Sequence, residues 1–422
     1  MGLTVAEKIF RSKGDNPHAK PGDMVFLYPE VAMIHEGGTF GLLDPISQMG
    51  IERIVDSIEV VALLDHFVPA PTVAYANMHK ETRAFVKRMK IRDWYEIGRG
   101  GICHQILPEQ GHVRPGELIA GTDAHTTTYG ALGAYPIGVG WTDMAVTLAT
   151  GRMWAILPES VKLILNGRLQ PGVSSKDIIL YLLREFGESS LTYKSVEVEG
   201  PGLSTLSVDE RMTICNMSSE MDVKTMIMKP DQQVMDYVSR RTNKHFNAVW
   251  ADGDATYSRI TEIDIGRLEP LVACPHSPGN VRPLADMAGT RINQAYVGSC
   301  TNGRLDDLRA AWNVLKGHQV HPDVRMIVTP ASREIFLQAL EEGLVKNFME
   351  AGAVVTNPNC GACIGGHMGL LADGEVCAAT SNRNFIGRMG SIESEVYLLS
   401  PAAAAAAAIT GALTDPREFI NS

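Results

Sequence analysis

Ala295-Tyr296-Val297-Gly298-Ser299-Cys300-Thr301-Asn302 joins an apolar, strand-like run to a glycine-containing loop that carries a thiol, and a helix-like stretch follows. The same order recurs along the chain. Val60 to Leu64, Glu117 to Ala120, Val324 to Val328 and Ala353 to Thr356 are short apolar runs, each leading into a glycine-containing loop and then helix-like sequence. Short apolar runs bounded by turn residues read as buried strands, and their alternation with helical sequence reads as α/β with mainly parallel sheets.

At about 150 residues per domain, 422 residues make roughly three domains, each with its own core. Hydrophobic residues at 45% and charged residues at 20% are ordinary for a globular protein and exclude collagen-like, low-complexity and polyelectrolyte readings. The longest apolar run, Ala402 to Ile409, falls far short of the roughly 20 residues that span a bilayer. Lys8, Arg11 and Lys13 alternate with acidic and polar residues, and no apolar targeting region follows them. A net charge of −10, from 38 basic and 48 acidic residues, argues against a broad footprint for phosphate backbones. We therefore expect a cytoplasmic protein with neither nucleic acid nor membrane as partner. Seven cysteines, an odd number, fit thiols or metal ligands in a reducing compartment better than disulfides.

Changes of texture divide the chain into three expected domains, 1–158, 159–280 and 281–422. The first carries the acid–base residues described below. The second opens near Pro158, where Val161 to Leu165 ends in Asn166-Gly167 and Ser174 or Ser175 caps the amphipathic stretch Ile178 to Phe186. A loop-rich segment, Pro270 to Pro283, is expected to link it to the third, which carries Cys300, Cys360 and Cys363. Ser400-Pro401 before seven alanines reads as an N-cap and first-turn proline opening a closely packed helix.

In open α/β sheets the ligand crevice lies at the carboxyl ends of strands. Four such loops carry reactive residues: Asp65-His66, Asp123-Ala124-His125, Cys300-Thr301-Asn302 and Cys360-Gly361-Ala362-Cys363. A C-x-x-C serves zinc, a redox pair or an iron–sulfur cluster. Structural zinc wants a second half-motif, which is missing, and a redox pair has no use for Cys300. Three thiolates in glycine-flanked loops can hold three corners of a cubane cluster and leave one iron free as a Lewis acid. On spacing alone, zinc-binding or merely buried cysteines stay open. Asp65-His66, His104-Gln105, Asp123-x-His125 and Asn216-x-x-x-Glu220 supply imidazoles and carboxylates for proton transfer near neutral pH, the bland alternative being structural histidines. Asn216 and Glu220, four apart, share a face if both lie on one helix. Arg383 and Arg388 offer guanidinium forks for a carboxylate, or else interdomain salt bridges.

Seven motifs in order, Asp65-His66, Gly101-Ile102-Cys103-His104-Gln105, Gly121-Thr122-Asp123-Ala124-His125, Thr213-Ile214-Cys215-Asn216-Met217, Gly298-Ser299-Cys300-Thr301-Asn302, Asn357-Pro358-Asn359-Cys360-Gly361-Ala362-Cys363 and Ser381-Asn382-Arg383-Asn384-Phe385, resemble the aconitase superfamily nearly end to end. The likeness is to the large subunits of the 3-isopropylmalate dehydratase and homoaconitase type. It implies three α/β domains around a central iron–sulfur cleft, without the family's swivelling fourth domain. It also implies one 4Fe–4S cluster on Cys300, Cys360 and Cys363, and a hydro-lyase that isomerises a hydroxy acid by dehydration and rehydration. In the family, the histidine at His66, oriented by Asp65, protonates the departing hydroxyl. Asp123 with His104 and Glu220 with His125 match its carboxylate–histidine pairs. Asn216 and Asn382 match substrate-binding residues beside the cluster, and Arg383 and Arg388 match substrate-carboxylate ligands. A separate small subunit supplying the base is implied. The substrate expected first is 3-isopropylmalate, in leucine biosynthesis, with homoaconitase, 2,3-dimethylmalate dehydratase and maleate hydratase as alternatives and an RNA-binding, cluster-free paralogue as another class. Two departures bear on substrate: Ala124 stands where the family has serine, and His35 to Gly41, read as a substrate-side loop, lacks the usual His-Asp/Glu-x-Thr-x-Pro pattern.

Overall fold

The computed structural model describes residues 2–420; Met1, Asn421 and Ser422, at the outer edges of the first and third expected domains, lie outside the described residues. Three sheets organise the chain. The first has five parallel strands in the order Asp93–Tyr95, Glu59–Leu63, Val31–His35, Leu118–Gly121, Tyr135–Gly138. The second has four parallel strands, Thr225–Met228, Ser195–Glu199, Ser160–Asn166 and Arg259–Asp264. The third has seven, of which the five from Glu395–Leu398 through Val376–Ala379, Gln294–Val297, Arg325–Val328 and Val354–Val355 run parallel. Parallel strands covered on both faces are mostly apolar, and Leu118–Gly121, Thr225–Met228 and Gln294–Val297 are buried along their whole length, Thr225 and Gln294 included. A two-stranded antiparallel ribbon, Met24–Leu27 with Met153–Ile156, stands apart. Among the described residues, no helix is long and apolar enough to cross a membrane.

Two expectations need correction. The segment Pro270 to Pro283 is not a plain linking loop: Leu271–Ala273 and Val281–Pro283 pair antiparallel and close one edge of the seven-stranded sheet. Val272 and Ala273 are fully buried there, and Pro283 is tolerated because an edge strand has one side without a ladder partner. His35 to Gly41 is not a loop either, since a helix spans Glu36–Gln48. Its glycines are poor helix formers one by one, but they let the helix press close. A Cβ on Gly38 would stand 2.2 Å from Thr122 Oγ1, and one on Gly41 2.1 Å from the Trp141 ring.

Other local signals act where they were read. Ser174 caps the helix Ser175–Phe186, with Asp177 closing a reciprocal capping box. Ser400 caps Pro401–Thr410, whose buried alanines let it pack against Leu305–Leu315. Residues 249–251 turn back onto the first sheet's apolar core, and Lys8 Nζ meets Asp252 at 2.5 Å. The carboxyl ends of strands in the first and third sheets thus deliver the loops at residues 65–66, 123–125, 300, 360–363 and 382–383 toward one cleft.

Candidate active site

Cys300 lies on the one-turn helix Ser299–Asn302 after the strand Gln294–Val297, and Cys360 and Cys363 flank and occupy the tight turn Gly361–Ile364. Ser299 holds a φ of +73°, a left-handed conformation that a non-glycine residue adopts only under constraint, and this turns the next residue inward. All three cysteines are buried and line one cleft of about 100 Å³. Asn382 bridges two of them, its Nδ2 donating to Cys300 Sγ at 3.3 Å and its Oδ1 accepting from Cys363 Sγ at 3.3 Å. Main-chain groups of the same loops are held from outside the cleft. Arg304 Nη2 donates to the Cys300 carbonyl (2.8 Å), Tyr296 Oη to that of Cys360 (3.0 Å), and the Cys360 amide to the Asp65 carbonyl (3.3 Å). Burial pushes the Cys300 thiol up to about 12 and that of Cys360 well above its ordinary value. A metal that needs thiolates would therefore displace protons on binding. Three convergent sulfurs, with no fourth thiol lining the cleft among the described residues, fit an iron–sulfur cluster with one iron left open.

The acid–base residues form a connected array over these sulfurs. His66 Nδ1 meets Asp65 Oδ1 at 2.6 Å, and the other Asp65 oxygen accepts the Cys103 amide at 2.8 Å, so the carboxylate cannot turn away. His66 Nε2 faces Asp123 Oδ2 at 3.7 Å. The other Asp123 oxygen takes His104 Nε2 at 2.8 Å and the His125 amide at 2.8 Å. His125 Nε2 meets Glu220 Oε1 at 3.0 Å, and Arg383 Nε reaches both Glu220 oxygens at 2.8 and 3.0 Å.

This arrangement separates the protonation states of similar groups. Burial alone would lower His66, but the Asp65 carboxylate first, then Asp123 and Glu36, hold it well above 6.5. His104, where burial outweighs Asp123, lies below its ordinary value. Burial is likewise outweighed at Asp123, whose three imidazole neighbours hold it well below the usual carboxylate range, and at Glu220, which His125 and Arg383 hold down. His66 thus keeps its proton at neutral pH while His104 lacks one, the separation of acid from base that proton transfer requires.

Most of the residues read as a site meet here, with two differences. Asn216 and Glu220 do not share a helical face, because the helix Val208–Met217 tightens into a 3-10 turn at Ser218–Met221. Asn216 points instead to Thr128 and Thr301, and Asn382 approaches its oxygen at 3.4 Å. Arg383 spends its Nε on Glu220, bridging the second and third expected domains. Arg388 lines the cleft with its Nε buried and without a hydrogen-bond partner among the described residues. A buried guanidinium nitrogen left over in this way is a place for an anion.

Sequence reasoning missed four residues. Glu36 is fully buried and accepts the amides of Asp65, His66 and Phe67, fixing the loop that carries the acid; its neighbour His35 stacks on His66 with ring centroids 4.4 Å apart. Both lay in the segment read as a substrate-side loop. Lys176 and Arg304 are buried cations on helix-like sequence, where nothing in the pattern distinguishes them from surface residues. A larger cleft, about 400 Å³, runs past Glu109, Asp209, Tyr237 and Asp306, but neither the three cysteines nor the histidines reach it.

Comparison with known proteins agrees with this geometry. A family model described as the aconitase family (aconitate hydratase) matches residues 7–291 and 285–411. The chain is 47% identical over 420 residues to the 3-isopropylmalate dehydratase large subunit 1 of Methanopyrus kandleri, covering 100% of each. It is 45% identical over 421 residues to the probable 3-isopropylmalate dehydratase large subunit of Methanothermobacter thermautotrophicus, covering 99% of each. Among solved structures it resembles Thermococcus kodakaraensis aconitase X in its holo form, with a TM-score of 0.50 at 11% identity over 93% of this chain and 98% of that one. Likeness at that identity speaks for the fold alone.

Proposed function

The chain belongs to the aconitase family, and we propose that it is the large subunit of a 3-isopropylmalate dehydratase, a 4Fe–4S hydro-lyase that isomerises a hydroxy-dicarboxylic acid by dehydration and rehydration. One observation carries this reading: three buried thiols and an array of carboxylate-paired imidazoles converge on one cleft, in a chain whose relatives, 42–47% identical over nearly their full length, bear that name. In this reading Cys300, Cys360 and Cys363 hold the cluster. When bound, it supplies an open Lewis-acidic iron to the substrate's hydroxyl and carboxylate.

The chain's own residues do the rest. His66 carries the proton for the departing hydroxyl, and Asp65 keeps that imidazole charged and aimed. Asp123 holds His104, and Glu220 holds His125, so that the neighbouring imidazoles receive or relay protons without turning. Asn216 and Asn382 order the cysteine loops. Arg388 binds a substrate carboxylate through the nitrogen that lacks a protein partner, and Arg383 binds through the part of its fork that Glu220 leaves free. Ala124 is exposed beside Asp123, and without the family's hydroxyl the carboxylate contact falls more heavily on these arginines.

The name large subunit on the relatives implies a separate small subunit, and we place the base that removes the substrate's C–H proton there. We further propose a cytoplasmic protein with a small-molecule substrate rather than nucleic acid or membrane. The three-part division at 1–158, 159–280 and 281–422 is kept as part of this reading, supported by three sheets that draw their strands from residues 31–138, 160–264 and 271–398, although the strand Leu271–Ala273 of the third sheet falls inside the second range.

The test is anaerobic copurification with the small partner, then assay of 3-isopropylmalate, homocitrate, citrate, 2,3-dimethylmalate and malate. Turnover of 3-isopropylmalate supports the reading. A loaded cluster that turns over only another acid refutes the substrate. Stoichiometric zinc without acid-labile sulfide refutes the cluster, and salt-sensitive RNA binding with no hydro-lyase activity after cluster loading favours the RNA-binding class instead.

A further inference from the structure

Two cations lie behind the cysteine loops where a folded protein rarely leaves them. Lys176 and Arg304 are both fully buried, and neither meets a carboxylate in an ion pair among the described residues. Their side-chain hydrogen bonds are all to uncharged oxygens, although the Arg304 amide donates to Asp307 Oδ2 at 3.0 Å and the Arg304 charge opposes the upward push of burial on the Asp307 and Asp209 carboxyls. Lys176 Nζ donates to the carbonyls of Thr380 (2.8 Å) and Ser381 (2.7 Å) and approaches Asn302 Oδ1 at 3.4 Å. Arg304 donates to the carbonyls of Cys300 and Thr301, both at 2.8 Å, and to Gln105 Oε1 at 3.1 Å.

Hydrogen bonds to carbonyls satisfy the donors but do not neutralise the charge, and a buried unpaired charge is strongly unfavourable. Lys176 is further disfavoured by its place as the second residue of the helix Ser175–Phe186, since the positive end of the helix dipole repels a cation. Burial drives its ammonium down to about 7, and the strongest opposing attraction comes from the Cys363 sulfur, ahead of Asp307 and Cys300. Asp307 is a weak countercharge because burial pushes its own carboxyl up to about 7. The carbonyls that Lys176 grips immediately precede Asn382, the residue that bridges Cys300 and Cys363, and Asn302 lies two residues after Cys300.

We propose that Lys176, with Arg304 beside the Cys300 turn, is the countercharge of the iron–sulfur cluster: a buried cationic support whose charge is favoured when three thiolates and the cluster bring negative charge to the other side of the loops. Both act through the cluster and its loops rather than on substrate, so they are positioning residues. The inference rests on the cluster reading above. It adds that the metal-free chain carries an electrostatic mismatch which loading resolves.

The experiment uses the full chain, reconstituted anaerobically with iron and sulfide, and compares wild type with Lys176→Met, Lys176→Gln and Lys176→Arg. Glutamine keeps N–H donors for the carbonyls without the charge; arginine keeps the charge with a different shape. Three quantities are read: the cluster's midpoint potential by spectroelectrochemistry, the rate at which a chelator strips iron, and the melting temperature of the metal-free chain. The methionine and glutamine variants are expected to hold a cluster of more negative potential and to lose iron faster, while their metal-free chains melt no lower than wild type. Arginine is expected to return the potential toward wild type. Unchanged potential and iron release in the neutral variants would overturn the proposal. So would an unmoved potential with metal-free and loaded chains equally destabilised, or failure of both neutral variants to fold without metal, because a mere brace for the carbonyls behaves that way. A wild-type chain that takes up no cluster would instead overturn the proposed function.

Discussion

Replacing Glu36 by alanine removes the acceptor for three consecutive amides of the loop that carries the acid. Glu36 Oε1 accepts from His66 at 2.7 Å and Phe67 at 2.9 Å, and Oε2 from Asp65 at 3.1 Å. A buried donor left without a partner costs about 1–3 kcal/mol, so the two fully buried amides, those of Asp65 and His66, cost about 2–6 kcal/mol together. At about 1.4 kcal/mol per tenfold, their hydrogen exchange accelerates at least about 30-fold. Glu36→Gln keeps one acceptor oxygen. Placed where Oε1 stands, it retains the amides of His66 and Phe67 and turns an NH2 toward that of Asp65, a loss of about 1–3 kcal/mol. The effect also depends on pH. Burial, and next the Asp65 charge, push Glu36 from 4.5 up to about 8. A carboxyl raised by folding stabilises while protonated, fully below 4.5, and that contribution disappears as pH rises through about 8. Glutamine cannot ionise, so the stability gap between wild type and Glu36→Gln narrows across this interval. The assays are exchange by mass spectrometry over peptides containing residues 65–67 and urea unfolding at a series of pH values. Wild-type exchange rates at Asp65 and His66 in the alanine variant, or a gap that widens with pH, would refute the reasoning.

Three further predictions follow from the cleft. Asp65→Asn removes the main charge that holds His66 well above 6.5, so the alkaline fall in kcat/KM, where the acid form is lost, moves to lower pH; an unmoved limb in the pH profile would separate His66 from the proton donor. Arg388→Lys raises KM for the hydroxy-dicarboxylate by roughly 10- to 150-fold, the equivalent of about 1.5–3 kcal/mol for a hydrogen bond to a charged group. Its melting temperature stays at the wild-type value because Nε has no protein partner to lose, and steady-state kinetics with a thermal melt checks both. Gly38→Ala destabilises the chain despite alanine's better helix propensity, since the new Cβ meets Thr122 Oγ1 at 2.2 Å and Thr122 Cβ at 2.7 Å. Overpacking at about 1–3 kcal/mol outweighs a propensity gain of up to about 1 kcal/mol, and urea unfolding reads the sign.

What could be read in advance was whatever depends on residues near one another in sequence. The runs at 60–64, 117–120, 295–298, 324–328 and 353–356 announce strands because several apolar residues in a row have no use outside a covered sheet, and the observed strands differ from them only at the ends. Ser174 and Ser400 announce helix starts because a cap acts on amides two or three residues away. The helix Glu36–Gln48 was illegible for the converse reason. Gly37, Gly38, Gly41 and Pro45 are poor helix residues one by one, and they are tolerated because Thr122 and Trp141, some 80 to 100 positions on, press against that face. The turn that separates Asn216 from Glu220 is set in the same way by partners distant in sequence, Thr128 and Thr301 on one side and His125 and Arg383 on the other.

The same distinction explains the electrostatics of the cleft. Composition yields a net charge of −10, which says nothing about where the cations lie. The fold gathers Arg383, Arg388 and a charged His66 on the cleft and buries Lys176 and Arg304 behind the cysteine loops. Each of the first two anions in the array, Asp65 and Asp123, is already matched to an imidazole, and Glu220 is matched to His125 and Arg383. Among the described residues, the cations on or behind the cleft that form no ion pair with a carboxylate are the ones a dianionic substrate and an anionic cluster would meet: Arg388 at the cleft, Lys176 and Arg304 behind it. An acidic protein that must hold a negatively charged cofactor and a negatively charged substrate in one place has to reserve unpaired positive charge there, and here that reserve is visible as one orphaned guanidinium nitrogen and two buried cations whose side chains bond only to neutral oxygens.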